Sequence, residues 1–139
     1  KGLIDYYKAV GRNAGYSEDK LKVASHSWGF IADTDEEAIK KYFHPTKQVV
    51  DAISKDRPFC KSLTFEQYLN SVGPEGSMLV GSPETVANKL IDMIETLNLD
   101  RFLLHLPLGS MPHEDIMKAI KLFGEEVAPK VREYFNKSE

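Results

Sequence analysis

The chain is nearly free of cysteine. One residue, Cys60, among 139 cannot close an internal disulfide. That sets aside the small disulfide-stapled folds and fits a reducing, cytoplasmic setting. Long apolar runs are missing too. Nothing approaches the roughly 20 residues of a membrane-spanning helix, and the first residues do not read as a signal peptide. Charge of one sign is not in excess: 18 basic residues face 21 acidic ones, for a net charge of −3. Without a Lys/Arg block, neither a nucleic-acid footprint nor a membrane-surface partner is indicated. The four histidines, His26, His44, His105 and His113, show no metal-ligand spacing, so no metal site is read. Cys60 has Arg57 and Lys61 nearby but no histidine paired with it, and no nucleophile–base motif stands out. Repeats and low-complexity stretches are absent.

What is present is a soluble-type composition, 42% apolar, and an alternation of short apolar runs with amphipathic stretches. Phe102 to Pro107 is apolar except for His105, the pattern of a strand buried on both faces of a parallel sheet. A Gly/Ser/Pro loop and a helix follow. Met78-Leu-Val-Gly-Ser-Pro-Glu-Thr-Val repeats that strand–loop–helix grammar. The apolar members of Leu21–Ala32 are Val23, Trp28, Phe30 and Ile31, which predicts a first strand. Three parallel strands, near Leu21–Ala32, Met78–Gly81 and Phe102–Leu108, with helices on one side, are therefore expected, in the order α, β, α, α, β, α, β, α.

Local signals set the helix ends. Leu3 to Ala14 predicts a helix closed by Gly15. Thr34 and Glu37 have capping-box spacing, and Asp35, Glu36 and Glu37 crowd the positive end of the helix dipole. Pro45 is expected to break or restart that helix. Lys55–Ser62 reads as a linker. Thr64 and Gln67 form a second capping box. Ser82 caps a helix with Pro83 at its first position, whose core stripe is Val86, Leu90, Met93, Ile94 and Leu97. The last helix is expected to bury Ile116, Ile120, Phe123, Val127 and Val131, with a kink near Gly124 and Pro129. Residue 1 is Lys and the chain opens straight into a helical pattern, so it reads as the carboxyl-terminal part of a longer protein.

Four segments carry a resemblance: His26-Ser-Trp-Gly-Phe-Ile-Ala-Asp-Thr-Asp-Glu-Glu-Ala38, Val80-Gly-Ser-Pro-Glu-Thr-Val-Ala-Asn-Lys-Leu90, Asp100-Arg-Phe-Leu-Leu104 and Phe123-Gly-Glu-Glu-Val-Ala-Pro-Lys-Val131. In this order and spacing the chain resembles the carboxyl-terminal part of the luciferase-like monooxygenases, flavin-dependent enzymes related to bacterial luciferase. The resemblance implies an α/β fold, a partial (β/α)8 TIM barrel holding about the last three β/α units, with residues 1–139 as a fragment of one barrel domain. It implies a flavin-dependent monooxygenase that oxidises a small organic substrate with dioxygen and reduced FMN supplied by a reductase. A deazaflavin-dependent oxidoreductase of the same barrel family is an alternative. So is a non-catalytic partial barrel or partner subunit, and a homo-oligomer is expected. Trp28 stands where this family commonly has histidine, and His105 where it commonly has glutamine.

The candidate site residues follow from strand alternation and from loops at strand carboxyl ends. His26 and Trp28 share one face of their strand, opposite Ser27, and are assigned to the cofactor. Gly109 and Ser110, in the loop after the last strand, join them. His105 and His113 are the candidate catalytic residues. Each has a plainer reading beside it. His26 and His105 would serve as hydrogen-bonded core histidines, Trp28 as packing, and Ser110 or His113 as a helix cap. Gly81-Ser-Pro-Glu84 is a weaker candidate for an anion site at a helix amino-terminus.

Overall fold

The structure, a computed structural model, describes residues 1–57 and 61–137. Cys60 and part of the expected linker lie outside the described residues. Helix α1 (Gly2–Asn13) is followed by a 3-10 turn at Glu18–Lys20, strand β1 (Ala24–Ile31), helices α2 (Asp35–Asp56) and α3 (Phe65–Val72) and strand β2 (Leu79–Gly81). Helix α4 (Pro83–Leu97), strand β3 (Arg101–His105) and helix α5 (His113–Leu122) come next. A π turn at Phe123–Val127 leads into helix α6 (Ala128–Asn136).

All three expected strands form, and both pairings are parallel. Their lateral order is β2-β1-β3. Three consecutive β/α units of a barrel would stand side by side in chain order; here the first strand takes the middle. β1 pairs with β3 along Ala24–Trp28, while β2 covers only Gly29–Ile31. Thus β1 is paired on one edge over its first half and on the other over its last three residues. Gly29 is required by this crowding: a Cβ there would fall on the Leu79 carbonyl oxygen and a Leu104 methyl.

The caps behave as their chemistry dictates. Thr34 Oγ1 accepts from the Glu37 N–H at 3.2 Å, but the Glu37 carboxylate pairs with Lys41 instead of returning to the cap. Thr64 and Gln67 complete a reciprocal capping box. Ser82 caps α4 with Pro83 at its start. The carbonyls of Val72, Gly73 and Met78 converge on the Lys89 ammonium at 3.0, 2.6 and 2.7 Å. That cation satisfies acceptors left over at the end of α3.

Pro45 does not break α2. The helix runs through it with Pro45 and Thr46 buried. Proline removes one i→i−4 bond, and the neighbouring Thr46 hydroxyl donates to the Tyr42 carbonyl at 2.6 Å. One turn before Pro45, Tyr42 lies over the sheet: its ring stacks on Phe30, centroids 5.5 Å apart, and its hydroxyl donates to the His105 carbonyl at 3.4 Å. Burial pushes the Tyr42 hydroxyl pKa up. Phe30 shares the His26 and Trp28 side of β1 by alternation. Leu104, on the opposite side with Ser27, also packs against the core. The expectation of helices on one side alone is therefore corrected at the carboxyl end of the sheet, where side chains of both faces are enclosed.

The core gathers Phe30, Ile31, Tyr42, Tyr68, Leu79, Val86 and Val127, all fully buried. In the last helical stretch Ala119, Val127 and Val131 are buried while Ile120 is 48% exposed, against the expected stripe. The π turn explains this. Its wider winding changes the angular phase, so one 3.6-residue stripe cannot be continued across it. Gly124 falls inside that turn and Pro129 in the first turn of α6, where the interruption was expected.

Candidate functional site

The sequence predicts β3 to be buried on both faces. It is not. Arg101, Leu103 and His105 are exposed, and only Phe102 and Leu104 turn inward. β3 is an edge strand of a three-stranded sheet, and no element of the described chain covers its outer face. His105 is accordingly an exposed side chain at the end of β3, not a buried histidine.

This exposure creates the most distinctive surface of the molecule. Register places Trp28 beside His105, His26 beside Leu103 and Ala24 beside Arg101. Partners in a parallel ladder project to the same side, so His26, Trp28, Leu103 and His105 share one face. The carboxyl end of that face is closed by the Phe30–Tyr42 stack; the rest is open. Leu103 is 52% exposed, unusual for a leucine in the middle of a strand. An open groove of about 640 Å³ runs along Ala24, Ser25, His26, Leu103, Leu104, His105 and Pro107. A second, of about 360 Å³, is lined by His26, Ser27, Trp28, Ser77 and Met78. His26 borders both, and neither lining contains Asp, Glu, Lys or Arg.

The loop after β3 sits apart from this face. Gly109 has φ +50°, the left-handed region, and a Cβ on it would stand 2.9 Å from the Pro45 carbonyl oxygen. Glycine is thus demanded by the loop's close approach to α2. The Ser110 hydroxyl donates to Gln48 Oε1 at 2.7 Å, and its N–H reaches the same oxygen at 3.3 Å. Ser110 therefore ties the loop to α2. The plainer reading of Ser110 or His113 as a helix cap is corrected: Pro112 holds the N-cap of α5, no side chain caps it, and His113 is the first helical residue, exposed. Of the sequence-derived site residues, the fold brings His26, Trp28 and His105 together on the sheet. Gly109, Ser110 and His113 stand beyond its carboxyl end.

Acids that read as plain helix surface turn out to be ties at that same end. The Ser82 N–H donates to Asp35 Oδ1 at 2.6 Å and the Thr85 hydroxyl to Oδ2 at 2.9 Å. The bond from Ser82 outweighs partial burial and holds the Asp35 carboxyl below the usual carboxylate range. An aspartate already occupies the amino-terminus of α4, so the anion-site reading of Gly81–Glu84 loses its donor. Lys41 bridges Asp115 at 2.8 Å and Glu37 at 2.9 Å, and both carboxylates raise its pKa. Lys118 pairs with Asp33. These charges knit the segments after β1 and β2 to α2 and α5. Apart from the i,i+4 pair of Glu37 and Lys41, sequence spacing gave no sign of them, since the partners lie far apart along the chain.

No family model matches the chain, and no curated protein does. Solved structures do. Monooxygenase RslO1 from Streptomyces bottropensis superposes with a TM-score of 0.68 at 20% identity, covering 91% of this chain and 36% of that one. The oxygenating constituent of 3,6-diketocamphane monooxygenase from the CAM plasmid of Pseudomonas putida, a type II Baeyer–Villiger enzyme in complex with FMN, gives 0.61 at 23%, covering 91% and 38%. Riboflavin lyase RcaE, with modified FMN and its substrate riboflavin, gives 0.56 at 23%, covering 96% and 36%. The chain thus spans little more than a third of the structures it matches. The resemblance to luciferase-like FMN enzymes holds at the level of fold: an α/β chain with a three-stranded parallel sheet, matching part of each of these enzymes.

Proposed function

We propose that residues 1–139 are the carboxyl-terminal part of one flavin-dependent monooxygenase barrel, which oxidises a small organic substrate with dioxygen and reduced FMN. The observation that supports this most is the half-open sheet face carrying His26, Trp28, Leu103 and His105, set in a fold shared with FMN-bound enzymes. A buried strand face left bare within a chain suits a site completed by further elements of a barrel. FMN is preferred to a deazaflavin because FMN is the flavin named with two of the structural neighbours.

The lining fits the ring system of a flavin better than its phosphate. An indole, two leucines and a proline offer flat or apolar surface, and two imidazoles and three serines offer hydrogen bonds. No cation lines either groove, so the phosphate is assigned to residues outside them. When bound, FMN supplies the redox chemistry with dioxygen. The chain's own residues orient and exclude. His26 and His105 donate or accept hydrogen bonds to a ring edge, and Leu103 and Trp28 keep water from the ring. His113, with Gly109 and Ser110, forms the rim at the carboxyl end of the sheet, where Lys41, Asp115 and the Ser110–Gln48 bond hold the loop in place. The catalytic assignment of His105 and His113, and of His26, Trp28, Gly109 and Ser110 to the cofactor, is part of this proposal.

The test compares two chains, the 139-residue chain and the longest natural polypeptide that contains it. Flavin fluorescence gives FMN affinity, and product formation with a flavin reductase gives activity. The longer polypeptide is expected to bind FMN and turn over. The 139-residue chain is expected to show no oxygenation and an FMN dissociation constant weaker than about 1 μM, about −8 kcal/mol. Tight binding by the short chain would show that its flavin site is complete. Absence of FMN binding by the longer one would sink the reading.

A further inference from the structure

We infer that the smaller groove, lined by His26, Ser27, Trp28, Ser77 and Met78, is the substrate compartment, and that it takes a neutral, ring-bearing organic molecule with one hydrogen-bonding group. The inference rests on the flavin reading above and deepens it. Two grooves lie on the sheet and meet at His26. A reaction between a flavin and a substrate needs the two ligands held in contact. The larger groove, about 640 Å³, suits the larger partner, which leaves the groove of about 360 Å³ for the smaller one.

The smaller groove exists because β2 is short. It pairs only with Gly29–Ile31, so the β1 edge before Gly29 has no strand beside it, and Ser77 and Met78 form the opposite wall. Extending the β1–β2 register by one residue sets Met78 against Trp28, while the β1–β3 register sets His105 on its other side. By register, Trp28 therefore stands between Met78 and His105. This lining offers aromatic and sulfur surface for a ring. It offers the His26 imidazole for one polar group, and no charged group to compensate an ion. A charged substrate would lose hydration and find no counter-charge there.

Trp28 is the chain's one tryptophan, so its indole N–H gives a single, assignable NMR signal. The 139-residue chain is titrated with cyclohexanol and with cyclohexanecarboxylate, and the longer polypeptide with FMN. Signals of the Trp28 indole, the Met78 methyl and the His26 ring are followed. Cyclohexanol is expected to shift all three saturably, and cyclohexanecarboxylate to bind at least about tenfold more weakly. Trp28→Leu should weaken cyclohexanol binding, read at Met78 and His26, and Trp28→Phe should retain most of it. Equal affinity for the carboxylate, or shifts that avoid Trp28 and Met78, would overturn the inference. Binding of cyclohexanol at Trp28, with no FMN binding by the longer polypeptide, would keep the groove and count against the flavin. The reverse pattern would keep the flavin reading and sink the substrate compartment.

Discussion

The two halves of β1, Ala-Ser-His-Ser-Trp and Gly-Phe-Ile, lie in one strand and have opposite fates. From Gly29 on, every residue of the strand is buried; Phe30 and Ile31 are fully enclosed. Before it, Ala24 and His26 are exposed and Trp28 is half-buried. Part of the difference is in the strand, where Ser25, His26 and Ser27 stand against Phe30 and Ile31. The rest lies in what the chain brings over it: α2 delivers Tyr42 onto Phe30, while nothing in the described chain encloses His26 and Leu103. The buried half supports the fold, and the bare half stays open.

Substitutions that cross this divide sharpen it. Phe30→Ala removes a fully buried ring stacked on Tyr42. Its expected cost is about 3–5 kcal/mol, read as a lowered midpoint in urea unfolding. His26→Ala, four residues earlier and exposed, should change stability by about 0.5 kcal/mol or less. Similar losses at the two positions would mean that the amino-terminal half of β1 is covered after all.

The next largest effect belongs to the loop anchored on α2. Gly109→Ala places a Cβ against the Pro45 carbonyl in a left-handed conformation. An expected loss of about 1–2 kcal/mol follows from the backbone conformation alone. Ser110→Ala leaves the backbone intact and breaks the hydroxyl bond to Gln48, for about 1 kcal/mol. If Gly109→Ala were neutral in thermal unfolding, the loop would not be held on α2.

Sequence reading reached the parts of this molecule that are local. The Thr64–Gln67 box, the Ser82 cap with Pro83, the three strands and the break near Gly124 all rest on neighbours within a few residues. It missed what depends on distant partners. The strand order β2-β1-β3 is invisible to periodicity, which says that strands exist and not which edges they share. β3 reads as doubly buried because its composition suits burial, yet its covering is absent from the chain described. Pro45 reads as a breaker because proline removes a hydrogen bond, but tertiary packing of Tyr42 and Thr46 outweighs that loss. At the site, alternation correctly put His26 and Trp28 on one face, and register added His105. The role of Asp35 had no sequence signal: its partners are 47 and 50 residues away.

Asp35 offers a smaller, pH-dependent test at the enclosed end of the sheet. Its carboxyl is held low in the folded state by the Ser82 N–H. A depressed folded pKa contributes stability above the unfolded value, about 3.9, and that contribution is lost as pH falls through the folded value. Asp35→Ala is therefore expected to cost about 0.5–1 kcal/mol at pH 7, the low end of capping-type effects because the carboxylate is largely exposed and screened. The gap between the two proteins should narrow below about pH 4. A gap that stays constant down to pH 2 would mean that the loss comes from packing and not from the carboxylate.

The smallest effect on folding is expected at Leu103, and it bears most directly on the bare half. A leucine 52% exposed in the folded chain contributes little by being folded, so Leu103→Ser should shift the unfolding free energy by no more than about 0.5 kcal/mol. Its effect on association should be larger. The open sheet face, the unpaired edges of β1 and β3, and the apolar side chains of α1, with Leu3, Tyr6 and Val10 all well exposed, favour self-association of the 139-residue chain. Burying the remaining half of a leucine is worth about 1 kcal/mol per copy at about 25 cal/mol per Å². Sedimentation at micromolar concentration should then find oligomers of the parent chain and a dissociation constant about tenfold or more weaker for Leu103→Ser. If the substitution leaves the oligomer unchanged, association runs through α1 and the sheet face stays open. If the parent chain is monomeric throughout that range, the bare face is stable in water by itself, and the case for a missing covering element weakens with it.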